Sequence, residues 1–266
     1  MSDQIKHECG IAFVRLRKPL GYYHQKYGTA LYGINKLSLL LQKQRNRGQD
    51  GAGIATVKLN PEPGRRYISR KRSNSANYLN DLLHSVYKHF RNVPEHLMQD
   101  TEWLKSNKPY TGEVLMGHLR YGTHGINSIE TCHPFMRQNN WMARNLVMAG
   151  NFNMTNTDEL FNELIDLGQF PKERSDTVTM MEKIGHFLDQ EVQVLFDNYK
   201  KIGYSNQEIS DYIKDSLDVN KILQRSFRKV DGGYAIMGML GTGESFIVRD
   251  PNGIRPAFYY FDDEVV

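Results

Sequence analysis

Cysteine is scarce in this sequence of 266 residues, which contains only Cys9 and Cys132. Two cysteines are too few for the disulfide frameworks that stabilise small secreted proteins, and they fit a reducing compartment. They also lack the spacing of a zinc site, because the pair Cys132-His133 has no companion set of ligands. The composition therefore predicts neither a disulfide-rich fold nor a metal centre.

Long apolar runs and a strong excess of one charge are also missing. No run approaches the roughly 20 apolar residues of a transmembrane helix, and the first residues lack the apolar region of a secretory signal. The net charge of +4 is small for this length and gives no basic stripe of the kind that binds nucleic acid. The apolar fraction of 39% and the charged fraction of 24% are typical of a globular protein with a substantial core. We therefore expect a cytoplasmic protein that uses neither a membrane nor a nucleic acid as its partner.

Hydrophobic periodicity predicts strands toward both ends of the chain and helices between them. This order is typical of an α+β fold with largely antiparallel sheets. The basic cluster from Arg65 to Arg72 is interpreted as a solvated loop. The predicted helices lie at about 27–45, 77–90, 94–105, 157–167 and 175–188, and further helices follow up to about residue 228. The predicted strands lie at about 10–14, 54–59, 112–119, 145–149, 234–240, 245–249 and 257–261.

Cys9 stands at the head of the first predicted strand, after a polar leader of eight residues. Removal of that leader would place the Cys9 thiol and a free α-amine on the same residue, which supplies a nucleophile and a weak base together. Considered alone, Cys9 is better explained as a small buried thiol in the core. The other candidate residues favour the catalytic interpretation.

Three further polar side chains occupy junctions where predicted strands or helices begin or end. Arg120 follows a buried strand and has the planar fork that binds a carboxylate in a bidentate manner. Asn151 follows another strand and offers the side-chain amide of an oxyanion hole, while Asp176 begins a helix and could face an ammonium group. Each has a simpler explanation, namely an ion-pair partner, a turn residue and a helix-terminal carboxylate. Together with a thiolate they would suit free glutamine, which has a carboxylate, an ammonium and an amide carbonyl.

The sequence contains, in order, the motifs Cys9-Gly10-Ile11, residues 46–53 (NRGQDGAG), residues 117–125 (GHLRYGTHG), Asn151 with residues 153–156, Ser175-Asp176 and residues 249–256 (RDPNGIRP). Together they resemble the motifs of the class II glutamine amidotransferases. The resemblance covers almost the whole chain and implies a four-layer αββα sandwich of the N-terminal-nucleophile hydrolase type. Within the family, the sequence is more similar to the glutamine phosphoribosylpyrophosphate amidotransferases (amidophosphoribosyltransferases), which start purine synthesis, than to the glucosamine-6-phosphate synthase branch.

The resemblance implies hydrolysis of the glutamine side-chain amide to glutamate and ammonia through a thioester on Cys9. The freed α-amine of Cys9 would act as the base. Asn151 would donate its side-chain amide to the oxyanion, and the backbone N–H of Phe152 would be the second donor. Neither a metal nor an organic cofactor is implied in this domain.

The resemblance also assigns the residues that would bind glutamine. These are Arg120, Thr123 and His124 at its carboxylate, Asp176 at its ammonium, Tyr121 in the loop that closes over it, and Arg47 and Gly48 beside the nucleophile.

Residues 1–8 are expected to be a leader that self-cleavage removes, and residues 9–266 a class II glutaminase domain. The phosphoribosyltransferase domain that would accept the ammonia is missing from the sequence, so an isolated glutaminase half is expected. A homo-oligomer is expected as well. The family usually has His-Asn-Gly-Asn where this sequence has Gly150-Asn151-Phe152-Asn153. That difference and the leader support one alternative, an inactive paralogue with a regulatory or scaffolding role. A second alternative is an N-terminal cysteine hydrolase of another amide, which would need an apolar pocket.

Overall fold

The computed structural model of the chain describes residues 8–122 and 128–266. These residues form two compact units. The first comprises the chain up to Pro134 together with Ala149–Asn151 and Ala257–Val266, and the second comprises Phe135–Met148 and Phe152–Pro256.

The first unit contains a four-stranded sheet in the order β1-β4-β2-β3, in which every neighbouring pair is antiparallel. The two central strands, β2 and β4, are buried at every residue and consist of apolar and small residues, except for His118 and Arg120 in β4. Its elements in chain order are β1 (Gly10–Arg15), α1 (Leu20–Tyr27), α2 (Tyr32–Lys43), β2 (Gly51–Val57), β3 (Ile68–Ser73), α3 (Tyr78–Tyr87), α4 (Glu95–Gln99), α5 (Thr101–Asn107) and β4 (Val114–Arg120).

Helix α2 covers this sheet because its apolar residues recur every three or four positions and so lie on one face. Ile34, Leu37 and Leu41 are fully or almost fully buried in the core that α2 forms with β1 and β4. The packing fixes the turn that follows α2, and that turn leads directly into β2.

The second unit contains the sheet β5-β6-β7-β8, apart from Ala149–Asn151 of β6. Strands β6 and β7 run antiparallel, since Gly241 N–H donates to Asn145 O at one end and Thr155 N–H donates to Asp231 O at the other. Its elements are β5 (Phe135–Arg137), β6 (Leu146–Met154), α6 (Thr157–Asp166), α7 (Asp176–Ile202), α8 (Asn206–Ser216), α9 (Val219–Ser226), β7 (Gly232–Leu240) and β8 (Ser245–Arg249).

The α+β class and the antiparallel sheets predicted from the sequence are confirmed. Three local predictions are wrong. The helix expected at 27–45 begins only at Tyr32, as α2, because α1 ends at Tyr27 and the left-handed residue Gly28 follows it. The basic cluster is in part the edge strand β3, and residues 257–261 form no strand.

None of the helices among residues 8–122 and 128–266 is long and apolar enough to cross a membrane.

Candidate active site

Residues from three separate parts of the sequence come together at the ends of three neighbouring strands of the first sheet. In the antiparallel register, Gly10 of β1 lies opposite Leu119 of β4, and Gly51 of β2 lies opposite Arg120. The beginnings of β1 and β2 therefore lie beside the end of β4. This register places Cys9 and Asp50 next to the turn that follows Arg120.

The Cys9 thiol lies against the backbone of Tyr121. The Tyr121 N–H donates to Sγ at 3.4 Å, and Sγ is 3.8 Å from the Tyr121 carbonyl oxygen. Burial raises the pKa of the Cys9 thiol above its ordinary value. The Tyr121 N–H lowers it by stabilising the thiolate, as do the guanidinium groups of Arg120 and Arg47, whereas the Asp50 carboxylate raises it.

The side-chain amide of Asn151 contacts the residue that precedes Cys9. Asn151 Nδ2 donates to Glu8 Oε2 at 3.0 Å, and Arg47 Nη2 is 3.4 Å from the same oxygen. Arg47 also donates from Nε to the Cys9 carbonyl oxygen at 3.4 Å. The predicted oxyanion donor and a predicted pocket residue therefore both bind the last residue of the leader.

Gly48 lies where the turn after α2 packs directly on β4. A Cβ atom at this position would be 2.5 Å from the backbone carbonyl group of Leu119, so only glycine permits the approach. The Gly48 carbonyl oxygen accepts a hydrogen bond from the Tyr78 hydroxyl at 2.8 Å. These contacts fix the backbone next to Arg47.

Asp50 stabilises the turn after β4 and was not a candidate in the sequence. Its N–H donates to the Arg120 carbonyl oxygen at 3.0 Å, and its Oδ2 accepts from the Gly122 N–H at 2.7 Å. Arg120 is only 7% exposed, although it stands at the end of a strand. Asp50 could have been predicted from the sequence, because it is an acidic residue within a run of small residues just before a strand.

Thr123 and His124 lie outside the described residues. Asp176 belongs to the second unit, where Oδ2 accepts from Met154 N–H at 3.0 Å and Oδ1 accepts from the Thr157 hydroxyl at 2.6 Å. Its carboxylate thus connects the start of α7 to β6 and α6, and its role at an ammonium group stays a prediction.

Phe152 follows Asn151 within β6, and its side chain packs against the core of the second unit. The non-glycine residues with positive φ among those described are Asn60, Tyr110 and Lys229. Phe152 is therefore in an ordinary conformation for an L residue and carries no left-handed strain.

Two buried histidines also contact the segment that carries Asn151, and neither was predicted from the sequence. His118 Nε2 lies 3.1 Å from the Gly150 carbonyl oxygen, and the Gly150 N–H donates to His133 Nδ1 at 3.3 Å. The two rings stack with their centroids 4.3 Å apart. Burial lowers the pKa of His118 to about 4 and the pKa of His133 well below its ordinary range.

No family model matches the chain. It is 26% identical over 249 residues to an amidophosphoribosyltransferase of Pasteurella multocida, which covers 93% of this chain and 38% of the relative. It is also 26% identical over 254 residues to an amidophosphoribosyltransferase of Methanothermobacter thermautotrophicus, covering 96% of this chain and 40% of the relative. The chain thus spans about two fifths of the length of these curated relatives.

Among solved structures, the chain resembles the glutamine phosphoribosylpyrophosphate amidotransferase of B. subtilis, determined in complex with ADP and GMP. The TM-score is 0.51, the sequence identity is 21%, and the match covers 92% of this chain and 38% of that one. The likeness confirms the predicted fold of the N-terminal-nucleophile hydrolase type. The resemblance inferred from the motifs is confirmed as well, because the chain is similar over 93% of its length to an amidophosphoribosyltransferase.

Proposed function

We propose that this chain hydrolyses the side-chain amide of glutamine and supplies the ammonia to an acceptor domain of the amidophosphoribosyltransferase type. The observation that carries the proposal is the convergence of Cys9 and Asn151, which are 142 positions apart in the sequence. The Asn151 amide reaches the residue covalently attached to Cys9. Acyl transfer through a tetrahedral intermediate needs a nucleophile, here the thiol, and a hydrogen-bond donor to the oxyanion, here the amide.

In the proposed reaction, the Cys9 sulfur attacks the Cδ carbonyl carbon of glutamine. The proton of the thiol passes to the free α-amine of Cys9 and from there to the departing amide nitrogen. The C–N bond breaks, ammonia leaves, and a thioester remains. Water, deprotonated by the same amine, then cleaves the thioester to glutamate and restores the thiol.

The negative oxygen of each tetrahedral intermediate accepts from the Asn151 side chain and the Phe152 backbone N–H. The role of the Phe152 N–H comes from the resemblance alone. Arg120, buried at the end of β4, is suited to the carboxylate of glutamine because its planar guanidinium can donate two hydrogen bonds to one carboxylate. The Asp50 contacts hold the backbone turn that begins at Arg120. Thr123, His124 and Asp176 are assigned to glutamine binding by the resemblance alone.

The proposal requires removal of residues 1–8. While Glu8 is attached, the nitrogen of Cys9 is an amide and cannot act as a base. In addition, the Glu8 carboxylate accepts the hydrogen bond from the Asn151 amide that the oxyanion would need. The domain boundary between Glu8 and Cys9, the cytoplasmic location and the homo-oligomeric state stay predictions.

The acceptor is proposed from the relatives, which are amidophosphoribosyltransferases more than twice as long as the segment that matches this chain. The ammonia would be transferred to a phosphoribosyltransferase active site, as an early step in making purines. No cofactor is proposed for the glutaminase reaction.

The test combines the intact mass of the purified chain with an electrophilic diazoketone analogue of glutamine. We expect a mass that lacks residues 1–8 and one adduct, located on Cys9 by peptide mapping. Cys9→Ser should form no adduct and release no ammonia from glutamine. Cys132→Ser is the matched control, because Cys132 is the second free cysteine and is buried; it should react like the wild-type protein.

An inactive paralogue is the second candidate, and the contact between Glu8 and Asn151 favours it if the leader is never removed. It would give a full-length mass, no adduct on Cys9 and no ammonia. The other alternative, an N-terminal cysteine hydrolase of apolar amides, is distinguished from a glutaminase by the variant Arg120→Ala. In a glutaminase this variant should abolish turnover of glutamine. If Arg120→Ala retained turnover of glutamine, the proposed substrate would be wrong.

A further inference from the structure

The peptide groups on both sides of Gly150 are held by two side chains. The Gly150 N–H donates to His133 Nδ1 at 3.3 Å, and the Gly150 carbonyl oxygen lies 3.1 Å from His118 Nε2. That carbonyl belongs to the peptide bond that leads into Asn151. The two contacts therefore fix the plane of the backbone immediately before the proposed oxyanion donor.

Each contact demands one protonation state of its histidine. A carbonyl oxygen can only accept, so Nε2 of His118 carries a hydrogen, and a backbone N–H can only donate, so Nδ1 of His133 carries none. Nδ1 of His118 has no hydrogen-bond partner among the residues that the structure describes. A hydrogen there would be a buried donor without an acceptor, so both rings are neutral with their hydrogens on Nε2.

The rings are themselves held by the first sheet. His118 lies in the middle of β4, opposite Ile11 of β1 and Gly53 of β2, and it is fully buried. The His133 backbone packs directly on β2, since a Cβ atom at Gly53 would lie only 2.0 Å from the His133 carbonyl oxygen. The stacking of the two rings, 14° from parallel, completes the cluster.

Two residues of the basic cluster secure the segment around His133. Arg72 donates from Nη1 to the Cys132 carbonyl oxygen at 3.0 Å, and Arg70 donates from Nη1 to the Pro134 carbonyl oxygen at 3.3 Å. These carbonyls flank His133 on both sides. The predicted solvated role of the cluster is thus wrong for Arg70 and Arg72, which contact the protein backbone.

We propose that the stacked pair His118 and His133 positions Asn151 for oxyanion stabilisation, by clamping the Gly150 backbone to the strand that also carries Arg120. The inference rests on the proposed glutaminase function and adds two positioning residues to it. An oxyanion donor must lie about 2.7–3.1 Å from the developing charge, and a displacement on the order of 1 Å can cost about 10²-fold in rate. His118 and His133 set that position without touching glutamine.

The experiment compares two kinds of variant at each position. His118→Gln keeps an N–H near the place of Nε2, and His133→Asn keeps an acceptor near the place of Nδ1. His118→Leu and His133→Leu fill similar space without hydrogen bonds. We expect each Leu variant to lower kcat for glutamine hydrolysis by about 10- to 100-fold with KM nearly unchanged, and the Gln and Asn variants to recover most of the rate.

A second comparison separates positioning from general destabilisation. In an Asn151→Ala background, His118→Leu should change kcat less than about 3-fold, because the side chain that it positions is already gone. An undiminished loss in that background would overturn the inference, as would full activity in the Leu variants.

Nitrogen NMR provides a readout that does not depend on activity. The side-chain amide resonances of Asn151 should shift in both Leu variants and return toward their wild-type positions in His118→Gln and His133→Asn. If the wild-type protein releases no ammonia but these shifts occur, the proposed function fails while the positioning role stands. If the resonances stay unchanged in the Leu variants, the positioning role is wrong whatever the activity.

Discussion

The side-chain amide of Asn151 donates a hydrogen bond to the carboxylate of Glu8, with 3.0 Å between Nδ2 and Oε2. In the proposed reaction the same amide has to donate to the negative oxygen that forms on glutamine. Glu8 and the substrate oxygen therefore compete for one donor. Because Arg47 also contacts Oε2 of Glu8, the leader is held at two points beside the nucleophile.

This competition predicts that the leader suppresses the reactivity of Cys9. A hydrogen bond to a charged group contributes about 1.5–3 kcal/mol, which corresponds to about tenfold or more in an equilibrium. A chain produced with Cys9 as its first residue should therefore react with the diazoketone analogue of glutamine at least about tenfold faster than the full-length chain. The measurement is the rate of adduct formation by mass spectrometry.

Glu8→Ala in the full-length chain separates the two effects of the leader. It removes the carboxylate from Asn151 and Arg47 but leaves the nitrogen of Cys9 as an amide. We expect a rate between those of the full-length and the shortened chains. Equal rates for all three proteins would show that Glu8 does not restrict the site.

Asn151→Ala tests the oxyanion donor directly. Removal of one such donor should lower kcat by about 10²–10³-fold, because the interaction strengthens as the negative charge develops. The KM for glutamine should change little, and both constants follow from steady-state assays of ammonia release. Asn153→Ala is the matched control on the same strand, where the side chain is exposed, and it should keep the wild-type rate. A normal rate in Asn151→Ala would mean that the oxyanion is stabilised elsewhere.

The sequence revealed some members of the site because they lie where buried apolar strands begin or end, but it did not reveal Asp50, His118 or His133. Cys9 and Arg120 were identified in this way, and their proximity follows from the antiparallel register of β1 and β4. The register itself is a long-range property, so the contact of Sγ with the Tyr121 backbone could not be predicted. The contribution of His133 depends on a similar long-range approach to β2.

Where the secondary structure predicted from the sequence differs from the structure, the reason is local. Strand β3 contains Arg70, Lys71 and Arg72 because it lies at the edge of the sheet, where a strand can carry polar side chains. Helix α1 follows Pro19, a residue type that is common in turns but is also well tolerated at the start of a helix. The strand expected at 257–261 is rich in aromatic residues, but these are exposed and the residues that lie against β1 come later, with Val265 bridged to Leu16.

Asp50 should control the acidity of the nucleophile. Its carboxylate raises the pKa of the Cys9 thiol, since a negative charge nearby opposes the formation of the thiolate. Asp50→Asn retains an oxygen that can accept from the Gly122 N–H but removes the charge. We expect the pKa of Cys9 to fall, so that alkylation of the thiol by iodoacetamide begins at lower pH than in the wild-type protein. Asp215→Asn, at an exposed acid of the second unit, is the control and should not change the alkylation profile. A higher pKa in Asp50→Asn would show that loss of the turn outweighs loss of the charge.

The two buried histidines should make the fold sensitive to mild acid. The pKa of His118 is lowered from 6.5 to about 4 by burial. Below about pH 6.5 the unfolded chain therefore binds a proton that the folded chain does not, and stability falls as the pH falls from 6.5 toward 4. The complete shift in the pKa of His118 corresponds to about 3 kcal/mol in the free energy of unfolding, and about 2 kcal/mol of this should be lost by pH 5.0. Above about pH 7.5 this group should have no effect on the pH dependence.

Urea unfolding at pH 7.5 and 5.0 provides the measurement, with the wild-type protein and His118→Gln compared at both values. The glutamine side chain does not titrate, so the decrease in the free energy of unfolding between the two pH values should be about 2 kcal/mol smaller in the variant. Some decrease should remain in His118→Gln, because burial also lowers the pKa of His133. If both proteins lost the same stability between pH 7.5 and 5.0, His118 would not be the neutral, buried donor to the Gly150 carbonyl that the clamp on Asn151 requires.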